Sequence, residues 1–266
     1  MLFQLDNVSY SFAAEPVLRD VSLGLERGRF YGVLGPNGSG KTTFLDLISG
    51  HRSPDRGSIR YLGRDLQSFG KRELSREIAL VPQDFSLAFP FRVREIVLMG
   101  RYPHLPRFSA PNAADLDVVR RAMEQTGTEE LGDRSITELS GGEKQRAVFA
   151  RALAQQTPVL LLDEATSNLD VKYGLKLMQL ARDKNRKEGV SVIAVFHDIN
   201  QAACFCDALV FFKNGRLACC GDTGVVLTAQ TLARVFEVRA KVFFEPYLNT
   251  RQAVFKPEEE TESAAG

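Results

Sequence analysis

The chain predicts a mixed α/β fold with a mainly parallel sheet, an N-terminal antiparallel β region and an inserted α-helical segment. Three observations carry that prediction. Residues 30–34, 78–81, 159–162 and 190–196 are short runs rich in β-branched residues and leucine without polar alternation, as parallel strands covered on both faces require. The first 25 residues instead read as a β-rich start, and the stretch between Gln83 and Leu139 turns to helical patterning.

In chain order, residues 2–8, 17–25 and 30–34 read as strands leading into a glycine-rich loop, GPNGSGKTT, at residues 35–43. Residues 42–49 form a short predicted helix stopped by Gly50, with Pro54 beyond it. Strand 78–81 ends before Gln83; helices at 93–100 and 113–126 follow, joined by RYPHLPRFSAP. LSGGEKQR opens a further helix, because Ser140 with Glu143 three residues on makes a capping box for a helix running to about Ala154. Strand 159–162 ends at Asp163 and Glu164, and strand 190–196 ends at His197. A helix at 199–206, a hairpin around Asn214-Gly215 and a helix at 231–238 complete the expected order. The terminal KPEEETESAAG is acidic and small, so residues 257–266 are expected to be a disordered tail on a unit spanning 1–256, with the helical insertion at about 84–157.

With 266 residues and 44% hydrophobic content the chain can fill a large core. Lysine and arginine number 34 against 33 acids, a net charge of +1, so no basic surplus draws it to nucleic acid. Its apolar runs fall well short of the ~20 residues that cross a bilayer, and the alternating N-terminus lacks the pattern of a secretory signal. A cytosolic location is expected. Cys204, Cys206, Cys219 and Cys220 match neither zinc nor disulfide spacing and read as small buried residues of a reducing compartment.

The loop at 35–43 fits G-x-x-x-x-G-K-[ST], the phosphate-binding pattern. Gly35, Gly38 and Gly40 allow backbone N–H groups to close on phosphate oxygens, with Pro36, Asn37, Ser39 and Thr43 in the same loop. Lys41 supplies a point charge, and the Thr42 hydroxyl can ligate Mg²⁺. At the end of an apolar strand, Asp163 is placed to hold the same Mg²⁺. Glu164 beside it must face differently, which suits it to orient and polarise an attacking water; the plain alternative is that the pair caps the next helix. In open α/β sheets ligands bind at the carboxyl ends of strands, so Lys41, Gln83, Asp163, Glu164 and His197 are expected to converge. The start of the LSGGEKQR helix, Ser140, Gly141, Gly142 and Glu143, offers a second set of N–H groups and positive dipole to an anion.

In that order these motifs resemble the ATP-binding subunit of ABC transporters, with a P-loop NTPase core, over nearly the whole chain. The resemblance implies ATP hydrolysis with Mg²⁺, Glu164 as general base, His197 at the γ-phosphate and Gln83 as a magnesium and water ligand. It implies that Ser140, Gly141, Gly142 and Glu143 cap an ATP held by a second copy, and that SNLD (167–170), with Asp170, crosses the dimer interface; Asn168 stands where a small alanine is common. Phe12, or else Tyr10, would stack on adenine. REIVLMGRYPH and GRLACCGDTGVVLTAQTLARVFEV are similar to importers of iron-siderophore, haem and cobalamin chelates. Two copies would then sit beneath two permease subunits on the cytoplasmic face of the cell membrane. An extracytoplasmic binding protein would deliver cargo. Related soluble ATPases of DNA maintenance separate these motifs by long arms, whereas only 56 positions part Gln83 from Leu139 (139 − 83). A scaffold ATPase of iron–sulfur assembly is opposed by the siderophore-like helical segment, and a small-molecule kinase has no use for LSGGEKQR.

Overall fold

The computed structural model describes residues 1–257 apart from 14, 86–88, 107, 108 and 168. Expectations for Asn168, for residues 258–266 of the tail and for 107 and 108 of the proline-rich connection therefore lie outside the described residues.

β1 (Phe3–Phe12) and β2 (Glu15–Leu25) pair antiparallel with Phe3 opposite Leu25 and Leu5 opposite Leu23. β1 buries Phe3, Leu5 and Val8; a register shift between Leu5 and Val8, with Asn7 at φ 50°, lets residues three apart share the inner face. β3 (Phe30–Leu34) is wholly buried and leads through the glycine-rich loop into α1 (Lys41–Ile48). β4 (Arg56–Tyr61) joins the other edge of β1, and short β5 (Arg64–Asp65) extends it, so the N-terminal sheet runs β2-β1-β4-β5. α2 (Lys71–Glu77) follows.

β6 (Ile78–Val81) enters the main sheet, and the helical insertion begins with α3 (Val93–Leu98) and α4 (Ala113–Thr126). The predicted helix 93–100 gives way to a tighter turn at Met99–Arg101. α5 (Gly141–Ala154) belongs to two cores: Ala147, Ala150 and Ala154 pack with Val93, Ile96, Val119 and Met123, while Val148, Phe149 and Ala152 face the main sheet. Arg101 pins this insertion from inside. Its Nε donates to Asp115 at 3.0 Å and its Nη1 to the Ala154 carbonyl at 2.8 Å, so this buried pair has its hydrogen bonds satisfied.

β7 (Val159–Asp163), α6 (Val171–Glu188) and β8 (Ser191–Val195) follow, then α7 (Ile199–Phe205), β9 (Ala208–Lys213) and β10 (Arg216–Asp222). The main sheet runs β10-β9-β3-β8-β7-β6, parallel from β9 to β6 with β10 antiparallel at the edge. Both faces are covered: Phe30, Leu34, Leu160 and Leu162 pack with α5, α6 and α7, while Tyr31, Val33 and Leu161 pack with α1 and the N-terminal sheet. Asn214 and Gly215, both at positive φ (49° and 74°), turn β9 into β10 as the hairpin signal requires. α8 (Thr223–Val226) and α9 (Ala229–Phe236) precede a hairpin of β11 (Arg239–Glu245) and β12 (Thr250–Lys256). Asn200 on α7 clasps β12 with two hydrogen bonds, accepting from Ala253 N at 2.7 Å and donating to Ala253 O at 3.0 Å.

Candidate functional site

The loop of residues 35–43 joins the end of β3 to α1, and its glycines answer to specific neighbours. A side chain at Gly35 would meet the Phe212 carbonyl oxygen at 2.3 Å, and one at Gly40, where φ is 97°, would meet Leu18 Cδ2 at 2.6 Å. α1 has no side-chain cap, so its first N–H groups are left to a ligand. Lys41, only 6% exposed, curls back over the loop and donates from Nζ to the carbonyls of Gly35 at 2.9 Å and Pro36 at 3.1 Å. Burial lowers its pKa, and the negative charges of Glu164 and Asp163 oppose that shift. Ser39 Oγ is buried in the same loop with no hydrogen-bond partner among the described residues.

The two acids at the end of β7 diverge. Asp163 accepts from the Thr42 hydroxyl at 3.3 Å, and burial pushes its carboxyl up to about 6, with Glu164 and Asp46 raising it further and Thr42 and Lys41 pulling it down. Glu164 takes a left-handed backbone at φ 48°, a strained conformation for a non-glycine residue, and carries its side chain to another pair of groups. Its Oε2 accepts from Gln83 Nε2 at 2.7 Å and lies 2.5 Å from His197 Nε2. Gln83 follows β6 and His197 follows β8, so three neighbouring strands of the sheet meet on one carboxylate. Glu164 is 8% exposed at its side chain and His197 50%, which leaves the histidine open to solvent.

This donor set fits Mg²⁺. The Thr42 hydroxyl and Asp163 carboxylate are hard oxygen donors, few in number, leaving coordination positions to phosphate and water, and Asp163 is a buried acid whose ionised form needs a nearby cation. Among the described residues no group of three or more His, Cys, Asp or Glu side chains forms a further metal cluster. Of the four cysteines expected to be buried only Cys206 is; Cys219 and Cys220 are half-buried and Cys204 is exposed, and burial raises the thiol pKa of Cys206 strongly and of Cys220 to about 11.

Ser140 to Glu143 do not join that cluster. Ser140 caps α5, accepting from Glu143 N at 3.3 Å, while Glu143 Oε2 accepts from Ser140 N at 2.9 Å and Ser140 Oγ at 2.8 Å. Ser140 and Gly141 are exposed, so this capped helix start faces outward. The backbone hydrogen bond from Ser140 holds the Glu143 carboxyl below the usual range. Asp170 caps α6 by accepting from Tyr173 N at 2.9 Å and is likewise exposed.

Phe12 is 42% exposed, whereas the Tyr10 hydroxyl is engaged by Arg52 at 3.0 Å. Arg52 also lies 4.5 Å from the Phe12 ring centre and bonds Asp46 at 2.9 Å, so it backs the aromatic ring; sequence reasoning misses it because the two residues are 40 positions apart (52 − 12). Arg146 escapes it for a similar reason: it donates to the Gly127 carbonyl at 2.6 Å and stacks on Tyr173 at 4.2 Å, tying the helix that Ser140 opens to the helix that Asp170 opens.

A family profile described as "ABC transporter" matches residues 18–167. The chain is 41% identical over 246 residues to a cobalamin import ATP-binding protein of Halobacterium salinarum, covering 92% of this chain and 61% of that one. It thus spans less than two thirds of that relative's length. It is 40% identical over 262 residues to a hemin import ATP-binding protein of Bordetella pertussis, covering 96% of this chain and 99% of the relative. Among solved structures, an inward-facing ABC transporter of metal-chelate type superposes with a TM-score of 0.81 at 28% identity, covering 96% of this chain and 97% of the other. A bacterial ABC transporter cassette solved as a dimer superposes at 0.75 with 28% identity, covering 83% and 98%.

Proposed function

The chain belongs to the ABC transporter family, and on that premise we propose that it is the ATP-hydrolysing subunit of an importer for a metal chelate of the iron-siderophore, haem or cobalamin type. The observation that carries the chemistry is the meeting of Gln83 and His197 on one oxygen of Glu164, beside the Thr42–Asp163 pair and the phosphate loop. The import role is supported by the cobalamin and hemin relatives and by the metal-chelate transporter fold.

The reaction is transfer of the γ-phosphoryl group to water, in which positioning and charge stabilisation do most of the work. Lys41 exchanges its two loop carbonyls for phosphate oxygens, and the N–H groups of the loop and of α1 hold the β-phosphate side. Bound through Thr42 and Asp163, Mg²⁺ would neutralise charge on the phosphates. Glu164 takes the proton of the attacking water as the new P–O bond forms and the bond to the β-phosphate oxygen breaks. Gln83 holds that carboxylate and the water in line, and His197 donates to the γ-phosphate. Phe12, backed by Arg52, stacks on adenine. Ser140, Gly141, Gly142 and Glu143 of a second copy close the site from the other side, with Asp170 at the interface. Relatives solved as dimers support this pairing.

The pair sits on the cytoplasmic face of the membrane beneath two permease subunits, fed by an extracytoplasmic binding protein. No helix of the described residues is long and apolar enough to cross a bilayer, and the helical insertion near residues 85–102 receives the permease's cytoplasmic helices. The test is Glu164→Gln against Lys41→Ala in the complex purified from membranes. The first should keep nucleotide binding while losing about 100-fold or more in turnover; the second should weaken binding and turnover together. Undiminished turnover of Glu164→Gln would remove Glu164 from the base role. Recovery of the chain with no permease would remove the transporter role.

A further inference from the structure

The short connection between α1 and β4, residues 49–55, is tied to the elements on both of its sides. Toward α1, the His51 and Arg52 N–H groups donate to the Asp46 carbonyl at 3.0 and 3.2 Å. Toward β1, Asp55 N donates to the Ser9 carbonyl at 2.9 Å and the Asp55 carboxylate accepts from Ser11 N at 2.8 Å. The connection thus bridges the helix that leaves the phosphate loop and the strand that ends in Phe12.

Arg52 completes the bridge with its side chain. Its Nε donates to Asp46 Oδ2 at 2.9 Å and its Nη1 to the Tyr10 hydroxyl at 3.0 Å, which fixes the guanidinium in place. The guanidinium carbon then lies over the Phe12 ring, 4.5 Å from its centre, and the Tyr10 ring meets Phe12 edge-on with centres 5.2 Å apart. Tyr10 packs against the hydrophobic core, whereas Phe12 does not join it among the described residues and stays 42% exposed. Core packing therefore does not hold this ring; the arginine and the tyrosine edge do. A ring held still before a ligand arrives spares that ligand the cost of ordering it.

We propose that Arg52 is a positioning residue for the base of the nucleotide: anchored on Asp46, it holds the Phe12 ring at a set distance from the phosphate loop. This rests on the reading of Phe12 as the adenine platform and adds to it the residue that makes the platform rigid. Because Asp46 belongs to the same short helix as Lys41 and Thr42, base and triphosphate are bound as one unit. Arg52 acts on the base alone, so its effect falls on binding and leaves the chemistry of the γ-phosphate unchanged.

The test compares MgATP with magnesium tripolyphosphate, which carries the phosphates and no base, on the complex purified from membranes. Arg52→Gln should raise KM for MgATP by roughly threefold to tenfold with kcat within about twofold of wild type. Inhibition by tripolyphosphate should be unaltered, and Arg52→Lys should recover part of the loss. Phe12→Ala should weaken MgATP as well, and adding Arg52→Gln to it should cost nothing more. Melting temperatures report that the variants fold. Equal weakening of ATP and tripolyphosphate by Arg52→Gln overturns the proposal, because the residue would then be supporting the phosphate loop. So does a full Arg52→Gln effect in the Phe12→Ala background. Wild-type KM in Arg52→Gln with a raised KM in Phe12→Ala overturns it too, and leaves the adenine platform standing. Wild-type KM in Phe12→Ala overturns both.

Discussion

Glu164 and Asp163 are adjacent in sequence, yet one meets Gln83 and His197 while the other meets Thr42. That adjacent acids at a strand end part company is legible in the order of residues, although the structure parts them through the left-handed backbone of Glu164, φ 48°, and not through an extended one. The state of Asp163 is not legible there, because its raised pKa of about 6 comes from burial beneath the loop and α1. Its ordinary value is 3.8, so between these values the folded chain holds the proton more tightly than the unfolded chain. The stability this adds in acid is lost as pH rises through about 6. In the absence of nucleotide and magnesium, Asp163→Asn should therefore melt higher than the native chain at pH 7.5, with the gap closing by about pH 4. Calorimetry over that range checks it; a gap independent of pH would mean that ionisation of Asp163 is not its source.

Among elements, the proposed function gives the start of α5 two separable jobs. Its capping box stabilises the helix within one chain, and its exposed start would meet a phosphate on another. Ser140→Ala should cost about 1 kcal/mol of stability, a melting shift of about 3 °C, but a much larger share of ATPase activity. Paired thermal melts and turnover assays separate the two; losses in proportion would leave Ser140 as a cap alone. The cap makes α5 legible in the sequence, and unbroken apolar runs do the same for β7 and β8. α6 is hidden there although Asp170 caps it and Leu177, Met178 and Ala181 supply a buried stripe, because its remaining surface is heavily charged. β4, β11 and β12 are hidden as well. Their half-buried patterns acquire meaning only once β1, α7 and α9 lie against them.

For the whole molecule, the site within one chain is open: His197 and the start of α5 are exposed, and Lys41 is occupied with its own loop. In the proposed function a second copy supplies the missing side. Glu164→Gln with MgATP should therefore sediment as a dimer at concentrations where the ATP-free chain is a monomer, and analytical ultracentrifugation reads this directly. A variant that stays monomeric under saturating MgATP would sink the shared site. The chain's own order of residues determined the parallel sheet, the phosphate loop and the identity of the groups around it, because those depend on local spacing and on side-chain chemistry. Only the tertiary structure decided that Gln83 and His197 share one Glu164 oxygen and that Arg52 backs Phe12. These are relations between residues far apart in sequence, set by strand order, and no local pattern encodes them.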